Sequence, residues 1–587
     1  MPSAVRRPCP FVHPALALCA GLLAVGVASA RGPQAQQAPA SNPSTWNVAF
    51  TDVAARAGLR DPVVYGGIDR KRFIIETNGS GVALVDYDND GWLDALTLSG
   101  TRLQEGTRDE VRYATGMAPT NRLYRNLKNG TFTDVTDAAG LRRTGWASGV
   151  CAGDYDNDGW TDLFLTYYGR NVLYRNRGDG RFEDVTARAR LATPEVRWGS
   201  GCTFVDYDRD GRADLFVANY LRFDLAAATE PGKGPNCLWK GIAVNCGPKG
   251  LPTDTNLLYR NQGDGTFSDV SQASRIAEVT GRYPMTAIAT DLNGDGWSDI
   301  YVASDSTAAI LYRNNHDGTF TDVALESGAA YNENGNPQAG MGLAAGDYNG
   351  DGLLDLLKTH FADDIPSLYR NRGKGLFEDA AAASGLAVEN RYVEWGAGLP
   401  DLDNDALQDV FYVTGNVYPE IERILPQYPH RSPRIVFRNA GGAALVNVTT
   451  QSGDASVPHS SRGAAFGDVD NDGDVDVLVM NMNEPPSLLE NTYSGGHGWI
   501  VIKLEGTASN RSAIGATVVV TSGGVRQARA VLSQSSYYSH DDLRLHFGLG
   551  RQSKADRIEI TWPSGRTESL NNVQGRRVVT MREGSLK

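Results

Sequence analysis

DYDNDGWLD, residues 86–94, decides the fold, because it returns in near-copy six more times. The copies read DYDNDGWTD from Asp154, DYDRDGRAD from Asp206, DLNGDGWSD from Asp291, DYNGDGLLD from Asp347, DLDNDALQD from Asp401 and DVDNDGDVD from Asp468. Self-similarity of this kind marks a repeat architecture. Short runs of small and apolar residues precede the loops (GVALV at 81–85, GVCAG at 149–153, GAAFG at 463–467), and apolar runs such as LFLTYY (163–168) follow them. Each loop therefore reads as the bend of a hairpin, and the Gly and Ala of its first strand suit a crowded central axis.

Two markers travel with the loop. LYRN begins at Leu123, Leu173, Leu258, Leu311 and Leu368 and decays to VFRN at Val436 and LLEN at Leu488. FxDV or a close variant begins at Phe50, Phe132, Phe182, Phe267, Phe320 and Phe377, with Leu445 opening a weaker copy. Turns such as GDGRF and GDGTF lie between the two, and Asp-Gly is a strong hairpin signal. Four strands per repeat make the blade of a propeller. One FxDV strand precedes the first loop and none follows the last LLEN, so the count balances only if Phe50–Val53 completes the final blade. An open stack of hairpins would leave that blade short of a strand. The expectation is an all-β chain: a seven-bladed β-propeller over 46–495 and a small β-sandwich or barrel over 496–587.

In D-x-D-x-D-G-x-x-D, oxygens at positions 1, 3, 5 and 9 and the carbonyl of position 7 suit one hard cation. Calcium takes six to eight oxygens in forgiving geometry, whereas magnesium demands a tight octahedron. The first loop offers Asp86, Asp88, Asp90, Asp94 and the Trp92 carbonyl. The second offers Asp154, Asp156, Asp158, Asp162 and Trp160; the third Asp206, Asp208, Asp210, Asp214 and Arg212. The fourth has Asp291, Asn293, Asp295, Asp299 and Trp297, and the fifth Asp347, Asn349, Asp351, Asp355 and Leu353. The sixth has Asp401, Asp403, Asp405, Asp409 and Leu407, and the seventh Asp468, Asp470, Asp472, Asp476 and Asp474. Up to seven Ca2+ ions are expected, bound more weakly where Asn replaces Asp, and the Asp401 loop departs furthest from the pattern, with Ala406 in place of Gly although its four carboxylates remain. No EF-hand is implied, since position 12 holds Thr97, Leu165 or Val217 in place of Glu. Carboxylates crowded in this way repel one another unless neutralised.

The rest of the composition agrees. The 587 residues include 66 Gly, 21% are charged, and the net charge of −13 excludes a nucleic-acid partner. Arg6 and Arg7, the apolar run 15–27 and Ala28-Ser29-Ala30 read as a cleaved signal over 1–30, so the mature chain is expected to be secreted, periplasmic or at the cell surface, without a membrane span. Residues 31–45 read as a disordered leader. In an oxidising compartment Cys237 and Cys246, which close a short loop, are expected to pair, while Cys151 and Cys202 form either a bridge or two buried thiols.

The loop pattern resembles the FG-GAP or VCBS repeats of integrin α-subunit propellers and related bacterial propellers, which place calcium in such hairpins. From Gly498 the acidic loops give way to alternating apolar runs, and SNRSAIGATVVV, RQARAVLSQSSYYSHDDLRLHFGLG and ADRIEITWPSGRTESL look like an ASPIC/UnbV domain. Together the two parts resemble the cartilage acidic protein family of secreted propeller proteins.

The resemblance says little about ligand; binding is favoured over catalysis because no acid/base candidate recurs or sits in a recognisable catalytic string. The segments entering the inner strands start on the face opposite the loops and carry Trp146, Trp198, Tyr283, Glu394 and Trp395, an expected surface for an extracellular or periplasmic protein or glycan bound by a monomer. The alternatives are a calcium-dependent hydrolase or lyase acting on glycan, with Glu394, His360 and His459 as candidates, and a structural module of a surface assembly. A Ser536, His540 and Asp541 triad is disfavoured, since no G-x-S-x-G elbow surrounds it.

Overall fold

The computed structural model describes residues 46–114 and 116–585. The expected signal and leader, 1–30 and 31–45, lie outside the described residues.

Each repeat contributes four antiparallel strands, called its sheet below, and those of the second and third repeats are joined into one eight-stranded sheet where Arg197 and Trp198 pair with Gly169 and Tyr168. Sheet 1 contains Val82–Val85, Asp94–Thr97, Arg122–Asn126 and Phe132–Asp134, paired in chain order, and its acidic loop bends between the first two strands. Sheets 2 to 6 repeat this order from Trp146, Arg197, Pro284, Leu343 and Glu394. Sheet 7 is the exception that the marker count requires. After Ser461–Gly467, Asp476–Asn481 and Ser487–Asn491, its fourth strand is Phe50–Asp52, with Phe50 opposite Asn491 and Asp52 opposite Leu489. The innermost strands touch in order around the set, and that of sheet 7 meets that of sheet 1. The arrangement is thus a closed, propeller-like array of sheets.

The FxDV aspartate has a local task. Asp52, Asp134, Asp322 and Asp379 accept the backbone N–H groups of Ala54, Thr136, Ala324 and Ala381, starting one-turn helices such as Ala54–Ala57. An acidic acceptor at a helix N-terminus satisfies one of its free amides.

The LYRN asparagine joins neighbouring sheets. Asn126, Asn176, Asn261, Asn314, Asn371, Asn439 and Asn491 each donate from Nδ2 to the position-2 carbonyl of the preceding acidic loop, at 2.7–3.0 Å. The series closes, because Asn126 of sheet 1 reaches Val469 of sheet 7. Buried amide–carbonyl bonds of this kind are expensive to break.

The C-terminal part is a sandwich. Gly498–Glu505, Leu545–Gly550 and Val578–Arg582 form one sheet, and Thr517–Ser522, Val525–Ala530, Lys554–Thr561 and Thr567–Gln574 the other. Ile502, Val518, Ile558, Phe547 and Trp562 belong to its buried core. Residues 531–544, between strands of the two sheets, enter the propeller axis. His540 N–H donates to the Val82 carbonyl, Leu84 N–H to the His540 carbonyl, and Val150 N–H to the Tyr538 carbonyl. Leu343 and Ser536 exchange backbone bonds at 2.6 Å. Tyr537 and Tyr538 are fully buried. Glycine makes room: a Cβ on Gly81 would lie 1.8 Å from the Tyr538 carbonyl oxygen. The Gly- and Ala-rich inner strands thus fit both the crowded axis and this plug.

Candidate functional site

All seven loops share one scaffold of hydrogen bonds. The position-1 carboxylate accepts the N–H of position 6 (Gly91 to Asp86, Gly473 to Asp468). The position-9 carboxylate accepts both the position-2 N–H and the N–H of the LYRN asparagine, as Asp94 does from Tyr87 and Asn126. Position 4 is left-handed throughout, with φ between 56° and 80°. From there Asn89, Asn157 and Asn404 cap the position-6 carbonyl of the next loop, and Asn471 caps that of the first.

The carboxylates converge. Oxygens of Asp86, Asp88 and Asp90 lie within 4.8 Å of one another, as do those of Asp154, Asp156 and Asp162, of Asp206, Asp208 and Asp210, of Asp401, Asp403 and Asp409, and of Asp468, Asp470 and Asp476. The LYRN arginine holds their outer side: Arg125 lies 2.8 Å from Asp88, Arg260 2.7 Å from Asp208, and Arg175 and Arg438 contact Asp156 and Asp403. In three loops this leaves the second oxygen of position 3 buried without a hydrogen-bond partner: Asp88 Oδ1, Asp156 Oδ1 and Asp208 Oδ1. Those oxygens, in a set made wholly of oxygen donors, fit a hard divalent cation.

Burial drives the position-9 carboxyls upward, Asp94 and Asp299 to about 8 and Asp355 to about 9. At position 1, burial again comes first, raising Asp154, Asp206 and Asp347 to about 7 and Asp468 to about 8, with neighbouring carboxylates adding to the rise. Charge is thus disfavoured in these loops without a cation.

The loops differ in ways that their sequences only partly foretell. At Asn293 and Asn349 the amide turns its Nδ2 to Asp295 and Asp355, so it donates to a neighbouring acid. At the sixth loop, which departs furthest from the pattern, Asp401, Asp403 and Asp409 are all buried and convergent, and Ala406 takes φ 78° where the other loops have glycine. In the seventh, Glu490 stands in the place of the arginine and pairs outward with Arg56. The C-terminal sandwich rests on this loop face. Ser512 Oγ accepts the Asp154 N–H, the Ala528 N–H donates to Asp347 Oδ2, and Arg544 donates to Asn471 and to the Asp468 carbonyl.

On the opposite face the expected ligand surface is a core. Trp146, Trp198, Tyr283, Glu394 and Trp395 are all less than 7% exposed. Inner strands converge on the axis, and their aromatic rings fill it together with the plug: Trp395 meets Tyr537 at 5.0 Å and Arg462 at 4.1 Å, and Trp146 meets Tyr65 at 5.4 Å. The order of the strands placed these residues at the correct end of the blades; nothing in SQSSYYSHDD, a polar stretch, announced what would cover them. His360 and Glu394 are buried too, with Glu394 accepting the His360 N–H and His360 Nε2 facing Ser367. Burial holds His360 well below its ordinary value and Glu394 well above it. His459 pairs with Glu484 at 2.7 Å. Ser536, His540 and Asp541 form no relay: Asp541 accepts from Ser535, His540 Nδ1 faces the Ser533 carbonyl, and the Ser536 hydroxyl has no partner. Cys237 and Cys246 form a disulfide, while Cys151 and Cys202 are buried free thiols.

Comparison with known proteins matches residues 108–165, 154–217, 249–302 and 291–357 to the FG-GAP-like repeat, and residues 506–587 to the ASPIC and UnbV family. Cartilage acidic protein 1 of Homo sapiens is 24% identical over 515 residues, covering 84% of this chain and 70% of that protein. The Mus musculus protein is 24% identical over 521 residues, covering 84% and 73%. Among solved structures, BBS1N in complex with ARL6DN superposes at a TM-score of 0.40 with 10% identity over 77% of this chain and 99% of that one. An Agrocybe aegerita lectin recognising non-reducing terminal N-acetylglucosamine superposes at 0.35 with 15% identity, over 65% and 90%.

Proposed function

We propose, from the premise that this chain is built of FG-GAP-like repeats and ends in an ASPIC and UnbV domain, that it is an exported propeller of seven calcium-loaded blades. Its role is to bind, and the face opposite the acidic loops is the platform for an extracellular or periplasmic protein or glycan. The observation that carries the metal reading is the trio of buried, unpartnered oxygens on Asp88, Asp156 and Asp208, each within a converging carboxylate cluster. Positions 1, 3, 5 and 9 would hold the ion, which on binding supplies the positive charge that the loops lack. The chain's own part is to keep the carboxylates together through the position-6 and asparagine N–H groups and to brace them from outside with the LYRN arginine.

Two further features support export and a rigid platform. The Cys237–Cys246 disulfide belongs to an oxidising compartment. The sandwich packed on the loop face leaves the opposite face as the open one.

A screen of the calcium-saturated chain against arrayed extracellular proteins and glycans, repeated in excess chelator, tests the proposal. Retention of a partner, weakened by chelator together with a lower melting temperature, is expected. A chain that melts at the same temperature in chelator and in calcium would count against the metal; failure to retain any arrayed partner would count against the platform.

A further inference from the structure

Outside the plug, the sandwich is hydrogen-bonded to the propeller almost wholly through the acidic loops. The Arg511 N–H donates to Asn157 Oδ1 at 2.8 Å, the Gly550 N–H to the Asn404 carbonyl at 2.8 Å, and the Ala528 N–H to Asp347 Oδ2 at 3.2 Å. Ser512 Oγ accepts the Asp154 N–H at 2.9 Å, and His546 Nε2 meets the Gly473 carbonyl at 2.9 Å. At the end of the plug Arg544 reaches the carbonyls of Gly91 and Asp468. The third and fourth loops are touched by packing: a Cβ on Gly211 would lie 2.4 Å from the Ala508 carbonyl oxygen, and one on Gly515 3.0 Å from Ser298 Oγ. All seven loops thus form the seat of the sandwich. Among the described residues, the hydrogen bond from Arg529 to the Leu399 carbonyl is the exception.

Three of these contacts fall on residues at position 1. Ser512 is bonded to the backbone of Asp154 and Ala528 to the carboxylate of Asp347, while Gly548 packs on Asp401, where a Cβ would lie 2.0 Å from Oδ2. In five loops the carboxylates converge within 4.8 Å, and like charges so close repel unless a cation lies between them. The loop amides tie positions 1 and 9 to the backbone but do nothing to relieve the repulsion between positions 1 and 3. The ion would therefore set the places of the very groups that the sandwich grips.

We infer, on the calcium reading above, that calcium loading of the loops and docking of the sandwich are one coupled equilibrium. An ion that favours the converged loop favours the seat built on it, and its loss loosens that seat. The plug does not share this dependence, because it bonds to inner strands, with His540 on Val82 and Tyr538 on Val150. The sandwich would then stay threaded on the axis while its underside comes free, and the C-terminal domain would report the calcium state of the ring. Linkage works in both directions: a seat weakened from the sandwich side lowers the affinity for calcium by the factor with which calcium tightens the seat.

Hydrogen exchange of the full chain, in calcium and in excess chelator, tests the coupling. Chelator is expected to speed exchange at least tenfold at the Ala528 and Gly550 amides, and less than threefold at Leu84 and Val150, which face the plug, and between Thr517–Ser522 and Lys554–Thr561 inside the sandwich. Seat amides that ignore chelator, in a chain whose melting temperature rises with calcium, overturn the coupling and leave the metal standing. Faster exchange shared equally by seat, plug and sandwich interior also overturns it, since that is loosening of the whole chain. A chain whose melting temperature and exchange both ignore calcium overturns the calcium reading itself. In the reverse direction, Gly548→Ala adds no ligand but crowds Asp401 from the sandwich side. It is expected to raise at least threefold the calcium concentration that half-protects the Gly550 amide; an unchanged midpoint overturns the coupling.

Discussion

Ala406 holds φ 78° at the place where Gly91, Gly159, Gly211, Gly296, Gly352 and Gly473 hold 81–96°. An L-residue there carries about 1 kcal/mol of strain that glycine does not, offset in part by the greater freedom glycine has in the unfolded chain. Ala406→Gly is accordingly expected to stabilise the protein by about 0.5–1 kcal/mol, read as a higher melting temperature in calcium; an unchanged or lower value would refute the strain. At this scale the acidic clusters were legible, because Asp, or Asn at 293 and 349, recurs at fixed spacing in seven loops. The asparagine and arginine of LYRN were legible only as markers. Their partners, such as Val469 for Asn126 and Asp88 for Arg125, lie in other strands or other sheets, and no local pattern names them.

The loop as an element responds to pH in a direction that its carboxyls set. In chelator Asp154, Asp206 and Asp347 titrate near 7, Asp94, Asp299 and Asp468 near 8, and Asp355 near 9, chiefly through burial. These folded-state values exceed the unfolded value of about 3.9, so the folded chain holds protons that the unfolded chain releases. The associated stability is present at low pH and is lost as pH rises through about 7 to 9. Without metal, the melting temperature is therefore expected to fall from pH 5 to pH 8; calcium, bound by the ionised form, is expected to flatten or reverse that slope. A metal-free chain that grows more stable over this range would contradict the account. The closing strand was readable from the sequence because strands can be counted: one FxDV too many at the start, one too few at the end. At the sixth loop a single Ala406 stands out in the sequence, whereas the burial of its carboxylates, the deepest of the seven, is set by neighbouring elements that no local pattern names.

At the scale of the molecule, propeller and sandwich share a boundary that sequence alone divides too cleanly. Alternating runs from Gly498 bury Trp562 and Phe547 in a core that is continuous with propeller residues such as Phe164, Cys202 and Phe204, and residues 531–544 enter the propeller's axis. Tyr537 and Tyr538 join the cluster that contains Trp146, Trp198 and Trp395, which is why the tryptophans assigned to an outer face are interior. Removing a buried aromatic ring from such a cluster costs about 3–5 kcal/mol. The parent is expected to melt in calcium as one calorimetric transition, and Tyr537→Ala with Tyr538→Ala to split it in two, with the earlier event in the propeller. A parent that already shows two independent transitions would mean that the plug does not couple them.

The pairing of Phe50 with Asn491 has a consequence for the order in which the molecule is made. A strand that emerges first must remain solvent-exposed until almost the whole array has been synthesised, and the segment that occupies the axis emerges later still. So much non-local pairing favours slow acquisition of the native state, with half-assembled sheets open to association with other chains in the meantime. Once the seam has shut and the tyrosines have entered, leaving requires both to let go, so persistence of the folded chain would rest on an unfolding barrier more than on equilibrium.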